Sequence, residues 1–215
     1  MINLNPNLFM RSILLTVSLF GWMCALFQGT SLKMTTTHLE ITKTWNNRSV
    51  DPKHYVKIDL LYLDNLHIKV SSPFYDDPSL PDMTKHPGTM DKLYDYEVVE
   101  VFLLGENEHY LEIELGPKSQ YLVLELQGYR NVTRYPIDLL QYHSKISGHQ
   151  WSGTAIVPKY LLPRNINKMN AYAIYGSGVN RTYLALYPAP ANNPKYTAPD
   201  FHRLELFEEI SIFNE

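Results

Sequence analysis

The sequence predicts an all-β fold, an antiparallel β-sandwich, and three observations carry that expectation. From His38 onward apolar and polar residues alternate with period two in run after run; Pro- and Gly-containing turns separate the runs; and the one helix candidate, "PKYLLP", is a single turn. Alternation places successive side chains on opposite faces of a strand, so each run offers one face to a core. With 215 residues, 45% of them hydrophobic, the chain can build one such core. The domain is expected to span residues 34–215, with residues 1–33 outside it.

The runs support this in order. "HLEITKTW" sets Leu39 and Ile41 against Glu40 and Thr42; "YVKIDLLYL" sets Val56, Ile58 and Leu60 against Lys57 and Asp59; "LHIKV" sets Leu66, Ile68 and Val70 against His67 and Lys69. Ser71 to Lys92, with four prolines, reads as a long surface loop, a kind of segment that often carries function. "EVVEVFLL" is apolar on both faces and is expected to be a central strand covered on both sides, which buries Glu100 between Val98 and Phe102. "YLEIEL" and "YLVLEL", joined by "GPKS", form a hairpin. In it Tyr110, Glu112 and Glu114 share one face, and Tyr121, Val123 and Glu125 share one face, read together as a wet acidic surface. "WSGTAIVP", "NAYAIYG" and "RTYLALYP" follow, then a second irregular loop from Pro188 to His202, and "RLELFEEISIF".

The N-terminus has a different character. Arg11 precedes "SILLTVSLFGWMCALF", an uncharged apolar stretch of secretory type, and Gly29 and Ser31 supply small residues for cleavage after Ser31. The stretch is short for a membrane span of about 20 residues, so a cleaved signal and a secreted protein are expected. The alternatives are an uncleaved anchor, or translation starting at Met34 and a cytoplasmic protein. The single cysteine, Cys24, lies inside this segment. Three sequons, at Asn47, Asn131 and Asn180, permit glycosylation in a secreted chain.

Net charge is −3 and charged residues are only 19%, which excludes the electrostatic footprint of a nucleic-acid or anionic-membrane binder. The 16 tyrosines suit strands, and they also suit surfaces that contact sugars or peptides, since the ring is apolar and the hydroxyl polar.

"LYDYEVVEVFLL", "YLEIELGPKSQYLVLELQGYRNV", "WSGTAIVP", "LALYPAP" and "PDFHRLELF" resemble, in order and spacing, the uncharacterised protein family represented in vertebrates by chromosome 4 open reading frame 33. Val99 to Leu103, Tyr110 to Glu114, Trp151 to Pro158, and Phe201-His202 followed by Leu204 are more remotely similar to family 9 carbohydrate-binding modules and DOMON-like domains. The resemblance implies a sandwich of jelly-roll type that binds sugars or, in some branches, haem. The family 9 modules stack a sugar between tryptophans. Here only Trp45 and Trp151 lie in the domain, and Trp151 sits at a core position, so tyrosine would have to substitute.

The function implied is a non-catalytic ligand-binding module, for carbohydrate or another small polar ligand. A glycan-processing enzyme and a protein-interaction domain are the competing classes. Glu112 and Glu114 could accept hydrogen bonds from vicinal hydroxyls, with Tyr110 or Tyr121 as platform. Glu100 could floor a pocket, or pair with Arg130, Arg181 or Lys57. His202 could be a ligand, or could cap a turn with Asp200. Tyr187 completes the candidate ligand-binding set. Residues i and i+2 of one strand stand about 6.7 Å apart, within the range of inverting glycosidase pairs. Parallel side chains on one strand, however, cannot attack a bond from opposite sides. No nucleophile elbow or metal-ligand spacing is present, and Met83, Met90 and Met169 pair with no histidine as haem ligands would, so no catalytic residue, metal or cofactor is expected.

Overall fold

The computed structural model describes residues 36–81 and 88–213; the expected leader lies outside them. In chain order the strands are β1 (Thr36–Ile41), β2 (Lys43–Thr44), β3 (Val56–Tyr62), β4 (Leu66–Pro73), β5 (Gly88–Thr89), β6 (Val98–Leu104), β7 (His109–Leu115), β8 (Gln120–Gln127), β9 (Val132–Arg134), β10 (Gln141–Ser147), β11 (Gln150–Val157), β12 (Lys168–Tyr175), β13 (Thr182–Ala185) and β14 (Glu208–Glu209). They form two sheets, one of five strands in the order β1-β3-β4-β11-β10, the other of nine with the path β2-β13-β12-β6-β7-β8-β5; β14 joins β12, and β9 joins β8. Neighbours are antiparallel except β5 and β8. Among the described residues there is no α-helix, only 3-10 turns such as Lys159–Leu161 in "PKYLLP". The fold is the expected antiparallel sandwich.

The alternation decides what faces what. Val56, Ile58, Leu60, Leu66, Ile68, Val70, Trp151 and Val157 of the five-stranded sheet meet Val99, Val101, Leu103, Leu111, Ile113, Leu115 and Val123 of the nine-stranded sheet in one apolar core. On the far side of the five-stranded sheet stand Lys57, Asp59 and Lys69, partly or fully exposed. The nine-stranded sheet has no such wet side along its centre. Every residue of β6 is buried, as its two apolar faces require. A second apolar cluster covers its outer face, where Val98, Phe102, Leu122, Leu126, Tyr172 and Ile174 pack against Leu93, Phe201 and Phe207. Tyr172 and Phe201 stack at 3.8 Å between centroids, and Phe102 meets Phe207 edge-on at 5.8 Å.

The covering segments differ from expectation. "RLELFEEISIF" forms a 3-10 turn at Leu204–Leu206 and only the two-residue β14, because Leu204 and Phe207 lie down on the sheet. Asn170 of β12 pins this cover: its Nδ2 lies within hydrogen-bond distance of Tyr172 Oη and the carbonyls of Tyr187 and Leu206, and its Oδ1 accepts from the Ala171 and Tyr187 N–H groups. β10 adds a strand that alternation hardly marks, since "QYHSKIS" buries only Tyr142.

Candidate functional site

β6 and β7 are antiparallel neighbours joined through residues 105–108, with Glu100 opposite Glu114 and Phe102 opposite Glu112. Gly105 is required at this connection, since a Cβ would collide with the Arg164 carbonyl oxygen. The register brings Glu100, Glu112 and Glu114 onto the outer face of the nine-stranded sheet, with one oxygen of each within 4.8 Å of the others. All three are buried, at 2%, 4% and 0% exposure.

This corrects the expected wet face. The turn at Leu93–Asp95 and the segment through Phe201 and Phe207 cover the outer side of the hairpin, so Glu112 and Glu114 are enclosed. Tyr110 is fully buried and cannot serve as a stacking platform. The register also separates the tyrosines: Glu112 lies opposite Leu124 and Glu114 opposite Leu122, so Tyr121 belongs to the inner face. There its hydroxyl donates to Asp138 Oδ1 at 3.2 Å. Tyr187 packs against the core between the sheets, apart from the carboxylates. Lys57 is ruled out as partner of Glu100, since it lies on the other sheet beside Glu40. Glu125 is held at its own position by His109 at 2.8 Å and Arg134 at 2.7 Å.

The three carboxyls disfavour one another's charge. Burial pushes Glu112 up to about 8, and burial followed by the neighbouring carboxyls raises Glu100 and Glu114 well above the ordinary range. Arg181 and Arg130 act on Glu100 in the opposite direction. Both are committed elsewhere: Arg181 donates to the carbonyls of Tyr94, Asp95 and Gly176, and Arg130 pairs with Asp200 at 2.9 Å. Among the described residues Glu112 Oε2 and both oxygens of Glu114 find no hydrogen-bond partner. The Tyr94 main-chain N–H lies near Glu114 but outside hydrogen-bond geometry.

His202 closes one side. Its N–H donates to Asp200 Oδ1 at 3.1 Å, the capping bond that "APDFHRL" suggests. Its ring also reaches into the site, with Nδ1 at 2.8 Å from Tyr110 Oη and Nε2 at 3.9 Å from Glu112 Oε2. Burial, with Arg130 beside it, lowers its pKa to about 4, so the ring is neutral at pH 7.

Above the carboxylates opens a cleft of about 610 Å³. Glu100, Glu112, Leu122, Leu124 and Ile174 floor it; Arg130, Arg181, His202 and Phe201 wall it; Tyr94 and Tyr135 stand at its rim, 44% and 42% exposed. Of the candidate ligand-binding residues, Glu100, Glu112 and His202 line this cleft and Glu114 and Tyr110 abut it. Tyr94 and Tyr135 were not anticipated. They come from a loop and a short edge segment without periodicity, and their one sequence signal is the Tyr-rich composition. Nor does ligand spacing reveal the acidic cluster, because its members come from two strands.

An all-β sandwich with an acid-floored cleft on one sheet is thus the class to which fold and site assign the chain. It is 42% identical over 176 residues to the UPF0462 protein C4orf33 homolog of Danio rerio, covering 80% of this chain and 87% of that protein. To the human UPF0462 protein C4orf33 it is 41% identical over 146 residues, 66% of this chain and 72% of that one. The chain belongs to the UPF0462 family. No family model matches it. Among solved structures, a candidate carbohydrate-binding protein from Bacteroides uniformis aligns with a TM-score of 0.52 at 14% identity, over 82% of this chain and 85% of that one, and shares the fold. A family 9 carbohydrate-binding module from Caldicellulosiruptor kristjanssonii, in complex with glucose, aligns at a TM-score of 0.47 and 16% identity, over 79% and 81% of the two chains.

Proposed function

We propose that the chain is a non-catalytic ligand-binding module and that its ligand is a carbohydrate or a similar polyhydroxylated molecule held in the cleft. The cleft carries this reading: about 610 Å³ with carboxyls at its floor, two arginines in its wall and two half-exposed tyrosines at its rim. Carboxyl groups with raised pKa can donate as well as accept hydrogen bonds, which suits hydroxyls, and tyrosine rings suit the apolar face of a sugar. Glu100, Glu112 and Glu114 rise side by side from one sheet face, so they approach a ligand from one side, which supports binding over hydrolysis. The candidate carbohydrate-binding protein that shares the fold supports the same class.

A glycan array run beside a hydrolysis assay tests it. Saturable binding without turnover is expected, weakened about tenfold in Glu100→Gln and in Tyr94→Ala, the effect of losing roughly 1.4 kcal/mol. Turnover would make the protein an enzyme, and silence in both assays would shift weight to a protein partner. Secretion belongs to this proposal. Asn47, Asn131 and Asn180 are all exposed, as glycan attachment requires. Mass spectrometry of the native protein checks it: a cytosolic, glycan-free chain beginning at Met34 or Thr35 would end this part of the proposal.

A further inference from the structure

Two buried polar environments sit in the same layer of the nine-stranded sheet. Asn170 is fully buried and has a hydrogen-bond partner for each polar atom. Glu114 is equally buried, and among the described residues neither of its oxygens has one. A carboxylate enclosed without a partner is costly if ionised. Glu112 and Glu100 worsen the cost by adding two more carboxyls to the same small volume. The cleft's two guanidiniums favour the charged forms of Glu100 and Glu112, but their hydrogen bonds go to Asp200 and main-chain carbonyls, and Glu114 gains no partner from them. What would satisfy all these oxygens together is a cation.

We propose that Glu100, Glu112 and Glu114 form a binding site for one divalent metal ion, open toward the cleft and flanked by His202. Such an ion takes oxygen ligands at roughly 2.0–2.2 Å, so neighbouring ligands around it stand about 3 Å apart. The three carboxylate oxygens, all within 4.8 Å of one another, close on an ion by rotation of their side chains through at most about 1.8 Å. His202 Nε2, 3.9 Å from Glu112 Oε2, flanks the cluster without joining it. Three carboxylates favour an ion that takes oxygen ligands, manganese(II) or magnesium, over softer metals that prefer nitrogen and sulfur. The net charge of the filled site is −1, and Arg130 and Arg181 in the cleft wall complement it. The ion leaves its cleft side free for hydroxyl or carboxylate oxygens of a ligand.

The proposal rests on the cluster's geometry, and the ion alone is the probe, so its failure and that of the carbohydrate reading can be told apart. The full-length protein is stripped with a chelator and titrated calorimetrically with manganese(II), magnesium and, for contrast, zinc chloride; thermal melts are recorded in parallel. One manganese or magnesium ion per chain is expected, bound at least tenfold more weakly by Glu114→Gln and Glu112→Gln and normally by the remote Asp59→Asn. Without metal Glu114→Gln should melt no lower than the parent, since one of three mutually unfavourable carboxyls is gone; with manganese or magnesium added the parent should melt higher. If Glu114→Gln fails to fold, Glu100→Gln carries the same comparison. No binding of either ion, binding undiminished in the variants, or a response to zinc alone would overturn the proposal.

Discussion

The outer faces of the two sheets carry charged residues in the same kind of register and to opposite effect. On the five-stranded sheet Glu40 stands opposite Lys57, and Asp59 opposite Lys69, with His38 at 2.7 Å from Asp59. These are pairings of unlike charge, which antiparallel sheets favour. On the nine-stranded sheet Glu100 stands directly opposite Glu114 with Glu112 beside them, three like groups with no Lys or Arg paired to them among the described residues. That arrangement is disfavoured even in water, and here it is enclosed. The cluster is a local cost carried by a face whose apolar cover otherwise stabilises the sandwich.

The largest effect should come from removing the cover that makes the faces differ. Phe102 is fully buried on the outer face and touches the rings of Tyr110, Tyr172, His202 and Phe207. Phe102→Ala should cost about 3–5 kcal/mol in urea unfolding, as a core truncation does. A loss below about 1 kcal/mol would mean that the outer layer is loose and that the carboxylates beneath it are wet after all.

Acid–base linkage separates the faces next. Burial pushes Glu112 up to about 8 and Glu97 up to about 7 from an ordinary 4.5, so in the folded state both hold protons that the unfolded chain has released. Their contribution is complete below pH 4.5 and is lost as pH rises through the folded values. His202, lowered from 6.5 to about 4, works the other way, its contribution being lost as pH falls from 6.5 toward 4. The clean window is therefore pH 6.5 to 8, where stability without metal should fall with rising pH by up to about 1.4 kcal/mol per unit for each titrating group. Glu97 lies outside the cleft, where it accepts from the N–H groups of Tyr75 and Asp76 at 3.0 and 2.9 Å. Glu97→Gln should remove the part ending near pH 7, and Glu112→Gln should reduce the part reaching pH 8, to which the raised Glu100 and Glu114 also contribute. A flat profile in the parent would make the acidic cluster as well solvated as the face of the other sheet.

The two sheets also differ in how far they could be read from sequence. A strand with one wet face writes its geometry into its own alternation, so β3 and β4 were legible residue by residue. β6 was legible for the converse reason, its two apolar faces demanding cover on both sides. The hairpin of β7 and β8 was legible as a hairpin, but its exposure was not. The residues that enclose Glu112 and Glu114, Leu93, Phe201 and Phe207, lie far away in irregular segments where no period marks which side they cover. One signal for the acidic cluster was present: a tight β6–β7 connection at "GENE" implies the pairing of Leu104 with Tyr110, and from it Glu100 with Glu114. Tyr121 was misplaced because a hairpin's register, set by its turn, decides which alternating set faces which side. That register lies with the four-residue turn and not with either strand.

The smallest effect should come from the face that looks most ordered electrostatically. Lys57 Nζ lies 3.8 Å from Glu40 Oε1 with both side chains largely in water, and such pairs contribute roughly 0.2–1 kcal/mol at most, offset by side-chain entropy and screened by salt. A double-mutant cycle of Lys57→Ala and Glu40→Ala should give a coupling within about 0.5 kcal/mol that shrinks further in high salt. Neither variant should alter the pH profile between 6.5 and 8, because the sheet they stand on faces away from the acidic cluster. A coupling above about 1 kcal/mol, or a changed profile, would mean that Lys57 senses the carboxylates across the sandwich. The contrast between a solvated face of paired charges and an enclosed face of like ones would then be wrong at its solvated end.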